Sequence, residues 1–312
     1  MNYSLIDIGS NSIRLTVYEI DGSIFKPLFH SKIMAGLAGY VENEKLSAEG
    51  IQVAKSALLE FRNIMRSLSV EEVSVFATAS LRNIRNTDKV VKLLNKKTGF
   101  NIEVIAAEDE ALLSYHGSKL ELPEITDGAF IDVGGASTEI ISFSDNTPTE
   151  VASYRLGSLN LYKKNVRKII PTSKELSTIS NFIMSELQKN TAFSFTPHSP
   201  LICVGGTGRA VMKIARKLYF LPDECNTLTS SQVEELFTLL TSNRKRPTRL
   251  ILRMCPDRIH TIIPGLSIIV NIIHLYHAEE IIISNYGIRE GYLCRKIIQS
   301  NTTTTSLHKT EN

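Results

Sequence analysis

The chain has no tryptophan, only four cysteines in 312 residues, and almost no net charge. Cys203, Cys225, Cys255 and Cys294 lie far apart, with no C-x-x-C pair. That spacing argues against a zinc knuckle and a disulfide scaffold, and fits reduced thiols in a cytosolic protein. A formal charge of +3 is too small to point to nucleic acid. The opening residues carry no basic segment followed by an apolar run, so no secretory signal is read. The most apolar window, 262–276, contains Pro264, Gly265, Asn271 and His274 and falls short of the ~20 residues a membrane span needs. It reads as a buried helix, and the chain as a cytoplasmic protein with neither membrane nor nucleic acid as partner. With 43% apolar and 21% charged residues the composition is that of an ordinary globular protein. The length predicts two domains on a prior of ~150 residues each.

What is present is an internal repeat. Ile6-Asp7-Ile8-Gly9-Ser10-Asn11-Ser12 returns 125 residues later as Ile131-Asp132-Val133-Gly134-Gly135-Ala136-Ser137. Each copy leaves a β-branched run, turns through small residues and enters a second strand. Ile13, Leu15 and Val17 alternate after the first copy; Ile140, Ser142 and Ser144 follow the second less cleanly. An acid at a strand end beside a small-residue turn suits a phosphate with its cation. Glycine lets backbone N–H groups approach an anion, and the carboxylate meets the metal. The spacing predicts two related domains, 1–122 and 123–300, facing each other across a cleft, and a disordered tail over 301–312.

A third small-residue turn, Gly205-Gly206-Thr207-Gly208, follows the strand Leu201–Val204 and precedes a helix from Arg209 to Tyr219. None of the three turns matches G-x-x-x-x-G-K-[ST] or G-x-G-x-x-G, so neither a P-loop nor a dinucleotide site applies. The carboxylates near the turns are Asp7, Glu110, Asp132 and Glu139. Phosphoryl transfer to water needs a hard, oxygen-ligated cation and a carboxylate to orient or deprotonate the water. Asp132 and Glu139, seven apart across one turn, suit the cation. The plain reading of Glu108-Asp109-Glu110 is a run of acids at a helix start.

Arg209, Lys213 and Arg216 recur at i, i+4 and i+7 and share one side of their helix. They form either a solvated face or a track for a polyanion. His274 and His277 read as core or interface histidines.

Five segments occur in an order that resembles the exopolyphosphatase / guanosine pentaphosphate phosphohydrolase family. They are D-I-G-S-N-S at 7–12, A-T-A-S-L-R-N at 77–83, D-E-A at 109–111, D-V-G-G-A-S-T-E at 132–139 and G-G-T-G at 205–208. I-P-G-L at 263–266 and G-I-R-E-G at 287–291 match later landmarks. The resemblance implies an α/β fold of two actin-like (ribonuclease H-like) domains, each a mixed five-stranded sheet flanked by helices. It implies Mg²⁺- or Mn²⁺-dependent hydrolysis of a terminal phosphoanhydride, with inorganic polyphosphate or guanosine pentaphosphate as substrate. Carried over by position, Glu110 is the catalytic base, and Asp132 and Glu139 are the metal-associated carboxylates. Ser10, Asn11, Ser12, Arg82, Gly134, Gly135, Ala136, Ser137, Gly206, Thr207 and Gly208 contact phosphate. A guanidinium at Arg82 can fork onto two phosphate oxygens; its plain alternative is a surface salt bridge.

Two positions depart from the family pattern. Ala136 stands where a third glycine is usual and is strained if its φ is positive. Asn285 stands where an acid is usual. These leave open a catalytically weak binder of phosphorylated ligands; a kinase or ATPase on the same fold is a separate alternative, against which Glu110 in the D-E-A motif speaks. The chain resembles the short form, without the C-terminal helical domain of longer relatives. The segments 262–276 and 289–298 are offered as a homodimer surface.

Overall fold

The computed structural model describes residues 1–197, 199–242 and 245–298, with Lys245 and Arg246 described in their backbone alone. His198, Arg244 and the expected disordered tail lie outside the described residues. The chain divides into two compact units, Met1–Leu113 with the residues from Ile288 on, and Ser114–Gly287.

In the first unit, β1 (Asn2–Ile8), β2 (Ile13–Asp21) and β3 (Ile24–Ile33) form an antiparallel meander. A small ribbon, β4 (Val41–Glu42) and β5 (Lys45–Leu46), leads to α1 (Ala48–Ser67). Ser47 caps α1 by accepting from the Gly50 N–H, and α1 buries Ala54, Ala57, Leu58 and Phe61 as its spacing predicts. Then come β6 (Val73–Ala77), α2 (Ala79–Arg82), α3 (Thr87–Thr98), β7 (Ile102–Val104) and α4 (Ala107–Glu121). The sheet order is β3-β2-β1-β6-β7, with β1, β6 and β7 parallel. Period-two alternation sends Ile6, Ile8, Ile13, Leu15 and Val17 to the cluster that holds Phe61, and Tyr3, Leu5, Tyr18 and Ile20 to another.

The second unit repeats this plan. β8 (Gly128–Val133), β9 (Thr138–Ser144) and β10 (Thr147–Tyr154) form its meander. α5 (Ser158–Asn165) and α6 (Ser173–Leu187) follow, then β11 (Leu201–Val204), α7 (Gly205–Tyr219), β12 (Thr227–Thr229), α8 (Ser230–Thr241), α9 (Lys245–Met254), α10 (Ile262–Tyr276) and β13 (Glu280–Ile283). The order β10-β9-β8-β11-β13 matches that of the first sheet, and β12 pairs antiparallel to β13 as a sixth, outer strand. The expected five-stranded core is thus present twice, with one strand added. α11 (Ile288–Tyr292) and a wider turn over Leu293–Ile298 close the described chain.

The grouping differs from the expected division at 122. α4 runs unbroken to Glu121, and its contacts change within it. Leu113 joins the core of Tyr3 and Leu5, whereas Tyr115 packs its ring on Phe130 and Phe143. The last helix returns to the first unit because Tyr292 stacks on Phe76, with ring centroids 4.8 Å apart. The segments expected as a dimer surface are used within the chain over much of their length. α10 is buried along most of its length, and Tyr292, Leu293 and Ile298 lie in the first unit's core. His274 and His277 are exposed rather than core residues; His274 Nε2 lies 2.7 Å from a Glu234 oxygen, and His277 ends α10 with φ 48°. Ser142, which blurred the alternation of β9, is buried beside the Tyr276 hydroxyl at 3.0 Å. Among the described residues no helix is long and apolar enough to cross a membrane.

Candidate active site

The repeat read in the sequence holds down to single hydrogen bonds. The Gly9 N–H donates to Ser12 O at 3.1 Å, and the Gly134 N–H donates to Ser137 O at 3.0 Å. In the first loop, the carbonyls of Ser10 and Asn11 accept from Ala38 and Gly36. In the second, the carbonyls of Gly134 and Gly135 accept from the first-turn N–H groups of α5, at Ser158, Leu159 and Asn160. With the carbonyls so used, the N–H groups of Gly135, Ala136 and Ser137 make no hydrogen bond among the described residues. The Asn11 side-chain nitrogen is buried and has no partner among the described residues. Such a donor is costly to leave unpaired, and an anion would satisfy it.

The strands place charge beside each loop. Residues directly opposite on antiparallel strands share a face. Asp132 lies opposite Glu139, and Glu139 lies opposite Ser153, so β8, β9 and β10 present one row of two acids and a serine. Ser114 Oγ donates to Asp132 Oδ2 at 2.6 Å, and Ser153 Oγ donates to Glu139 Oε1 at 2.9 Å. These hydroxyls fix the two carboxylates. The equivalent row in the first sheet is Asp7, Arg14 and Lys32. Arg14 also donates from Nε to Ser12 Oγ at 3.2 Å.

The third turn is not the loop the sequence suggests: α7 begins at Gly205 itself. Gly205 has φ +86°, and a Cβ there would come within 2.6 Å of Asp132 Oδ1. Glycine therefore serves both backbone and space at this position. The Arg258 guanidinium rests on Gly206, where a Cβ would meet its Nη2 at 1.8 Å. The φ of Ala136 is not positive, so the methyl is carried without the strain its position raised.

In the first unit, Arg82 Nη1 donates to Glu110 Oε2 at 2.6 Å and to Ile105 O at 3.0 Å. Both side chains are mostly buried, at 16% and 11% exposure, so Arg82 is no surface salt bridge. In the second unit, Arg209, Lys213, Arg216 and Lys217 line a pocket of about 530 Å³. Arg216 is committed to structure: its Nε and Nη2 donate to Cys225 O at 2.9 and 2.7 Å. Asn285, the other departure, donates from Nδ2 to Glu121 Oε1 at 3.0 Å and from its N–H to Oε2 at 2.7 Å. A carboxylate at 285 would face the Glu121 carboxylate, so the amide suits its neighbour.

The sequence singles out Glu110, Arg82, Asp132, Glu139 and the loops as candidates. Beside them the structure places Arg14, Ser114, Ser153, Lys217 and Arg258, which the sequence does not single out. Position 14 was available from the repeat, because 125 residues separate it from Glu139 as they separate Asp7 from Asp132.

The family model described as the Ppx/GppA phosphatase family matches residues 16–299. The chain belongs to that family. It is 26% identical over 295 residues to a guanosine-5'-triphosphate,3'-diphosphate pyrophosphatase of Vibrio atlanticus, covering 93% of this chain and 58% of the longer relative. Exopolyphosphatase 1 of Mycobacterium tuberculosis is 23% identical over 305 residues, covering 95% of this chain and 88% of its own length. The solved Ppx/GppA family member of Aquifex aeolicus matches with a TM-score of 0.77 at 24% identity, over 96% of this chain and 99% of that one. An exopolyphosphatase of Cytophaga hutchinsonii matches with a TM-score of 0.84 at 20% identity, over 96% and 98%. These likenesses carry the fold, and family membership makes the chain a phosphatase of phosphoanhydride bonds.

Proposed function

We propose that this member of the family hydrolyses the terminal phosphoanhydride of inorganic polyphosphate and releases orthophosphate, with Mg²⁺ or Mn²⁺ as its cation. The observation that carries the reading is the Asp132–Glu139 pair, two carboxylates on one face of adjacent strands, each oriented by a serine. Mg²⁺ characteristically takes one or two carboxylates and fills its other positions with water and substrate phosphate. The vacant side-chain position at Gly205 keeps room before Asp132 Oδ1. A cation held there would offset charge on the phosphate oxygens.

The chain's own residues supply the rest. Glu110 accepts the proton of the attacking water, and Arg82, hydrogen-bonded to it, orients that carboxylate and offers its remaining N–H groups to the transferred phosphoryl. In the second unit the N–H groups of Gly135, Ala136 and Ser137 donate to phosphate oxygens; in the first, the Asn11 amide is a donor of the same kind. Arg258 adds a cation at Gly206. The unstrained Ala136 and the hydrogen bonds of Asn285 to Glu121 support an active enzyme over a weakened binder.

Guanosine pentaphosphate is the second reading, favoured by the name of the Vibrio relative. The test is phosphate release from tripolyphosphate, longer polyphosphate, guanosine pentaphosphate and nucleoside triphosphates in one panel. The highest kcat/KM on polyphosphate supports the proposal, and the highest on guanosine pentaphosphate replaces it.

A further inference from the structure

The internal repeat extends beyond the two loops that first reveal it. Ala77 ends the parallel strand beside β1, and Val204 ends the one beside β8. Three residues on, Ser80 Oγ donates to Ile8 O, and Thr207 Oγ1 donates to Val133 O at 3.4 Å. Ile8 and Val133 are themselves equivalent in the 125-residue repeat. Five residues on stand Arg82 and Arg209. Arg82 Nη1 donates to Ile105 O at 3.0 Å, and Arg209 Nη1 donates to Asn285 O at 3.3 Å. These acceptors also correspond. Ala77 pairs with Val104; Cys203 pairs with Ile283, a register that continues to bring Val204 level with Ser284, so Ile105 and Asn285 each follow the residue level with the strand's last one. Arg209 is therefore the duplicate of Arg82, held by the same bond to the same place in its sheet.

The surroundings of the two arginines differ. Arg82 meets Glu110 and serves the hydrolysed end. Arg209 opens the 530 Å³ pocket, whose walls include Met212, Leu221, Met254 and Ile283. Lys213 and Lys217 follow on the exposed side of α7, about 6 and 12 Å along the helix from Arg209 at 1.5 Å per residue. Neither lysine has a hydrogen-bonding or ion-pairing partner among the described residues. The charged groups that line the pocket are Arg209, Lys213, Arg216, Lys217 and Asp223, the last lying past the end of α7. One acid against four cations leaves the pocket electropositive. Low-dielectric walls around charge of one sign concentrate its field on an anion.

We propose that Arg209, Lys213 and Lys217 form a distal subsite that grips the polyphosphate chain beyond the bond being cleaved. The proposal rests on the reading above that polyphosphate is the substrate. It replaces Arg216, tied to Cys225, with Lys217, and it makes the subsite short, ending where Asp223 repels further phosphate.

The experiment compares wild type, Lys213→Ala/Lys217→Ala and Arg209→Ala on tripolyphosphate and on a polyphosphate of several tens of units. Two exposed lysine–phosphate contacts predict that the ratio of KM for the long chain to KM for tripolyphosphate rises about tenfold in the double variant. The salt dependence of that KM becomes shallower, because fewer counterions are displaced. In parallel, labelled polyphosphate is titrated into a Glu110→Gln background with and without the lysine changes. That binding readout needs no turnover, so loss of binding supports the subsite even if the panel assigns hydrolysis to another substrate. An unchanged KM ratio with unchanged binding overturns the proposal. A larger KM rise for guanosine pentaphosphate than for long polyphosphate also overturns it, and assigns the pocket to a nucleoside.

Discussion

Replacing Glu110 by glutamine separates proton transfer from positioning. The substitution keeps the side chain's shape and an oxygen that can accept from Arg82. It removes the charge and the basicity. In the structure the two groups meet at 2.6 Å, mostly buried. A hydrogen bond to a charged partner contributes about 1.5–3 kcal/mol, and a neutral one about 0.5–1.5. Weakening the Arg82 contact therefore costs about 1–1.5 kcal/mol. If all of that appeared in the transition state, kcat would fall about tenfold, since 1.36 kcal/mol is one decade. Losing a general base costs ~10²–10⁴. The two effects fall in separate ranges. We expect kcat for phosphate release from tripolyphosphate at saturating cation to fall by more than a hundredfold. The dissociation constant for polyphosphate should change by less than about threefold, and Tm should move by only a few degrees, as about 1 kcal/mol implies for a unit of this size. A kcat within tenfold of wild type would refute the base assignment and turn attention to Glu139.

Further perturbations test other parts of the site and its support. Exhaustive chelation should abolish hydrolysis, restored by Mg²⁺ or Mn²⁺, and Asp132→Asn should raise the cation concentration needed for half-maximal activity; undiminished turnover in chelator would rule out the metal assignment. Gly117→Ala puts a Cβ 2.0 Å from the Gly287 carbonyl oxygen, an overlap with backbone that should cost about 1–3 kcal/mol in urea unfolding, and a neutral result would mean that α4 and this loop are more loosely packed. Burial alone would raise the Glu121 carboxyl, but hydrogen bonds from Ser284, the Asn285 side chain and the N–H groups of Asn285 and Tyr286 outweigh it and hold the group below its ordinary value. Its stabilising contribution is then complete above the unfolded value of about 4.3 and is lost as pH falls through the depressed folded value. Glu121→Gln should flatten stability against pH in that acid window, and an unchanged slope would show that these bonds do not favour the charged form. Asn285→Asp should be destabilised at neutral pH and recover on acidification.

The fold was legible where hydrophobic period and turn chemistry agreed. Val73–Ala77, Leu201–Val204, the capped helix after Ser47 and the buried helix 262–276 all sit where the sequence puts them. The less visible elements lacked those signals. β10 includes Pro148 and mixes polar and apolar residues, because its neighbour β9 is buried while it is not. α9 has Pro247 in its first turn and a strongly basic composition. The residues beside the candidate site that the sequence does not single out are those whose setting depends on partners distant in sequence. Ser114 is an ordinary serine until α4 brings it to Asp132, and Arg258 one of many basic residues until it is packed on Gly206. The same holds for the unit boundary, because a helix that changes partners at Leu113 shows no break in its own sequence.

The duplication bears on the proposal that one of the two loops, and not the other, holds the cation. Both copies keep the acid at the strand end, the turn and the Gly-to-Ser hydrogen bond. They differ at the residue facing the acid across the strands. Opposite Asp132 stands Glu139, with Ser153 next in the row; opposite Asp7 stands Arg14, with Lys32 next. An acid with basic side chains opposite it in register stands in a positive surrounding and gains less from a cation. Two facing carboxylates repel each other, and a divalent ion relieves that repulsion. Buried Arg289 adds to the charge that Asp7 meets. One frame thus supplies a cationic loop and an acidic one. On the proposed function, charge at positions 14 and 139 would separate a phosphate-holding copy from a metal-holding copy, while the backbone that presents both remains the same.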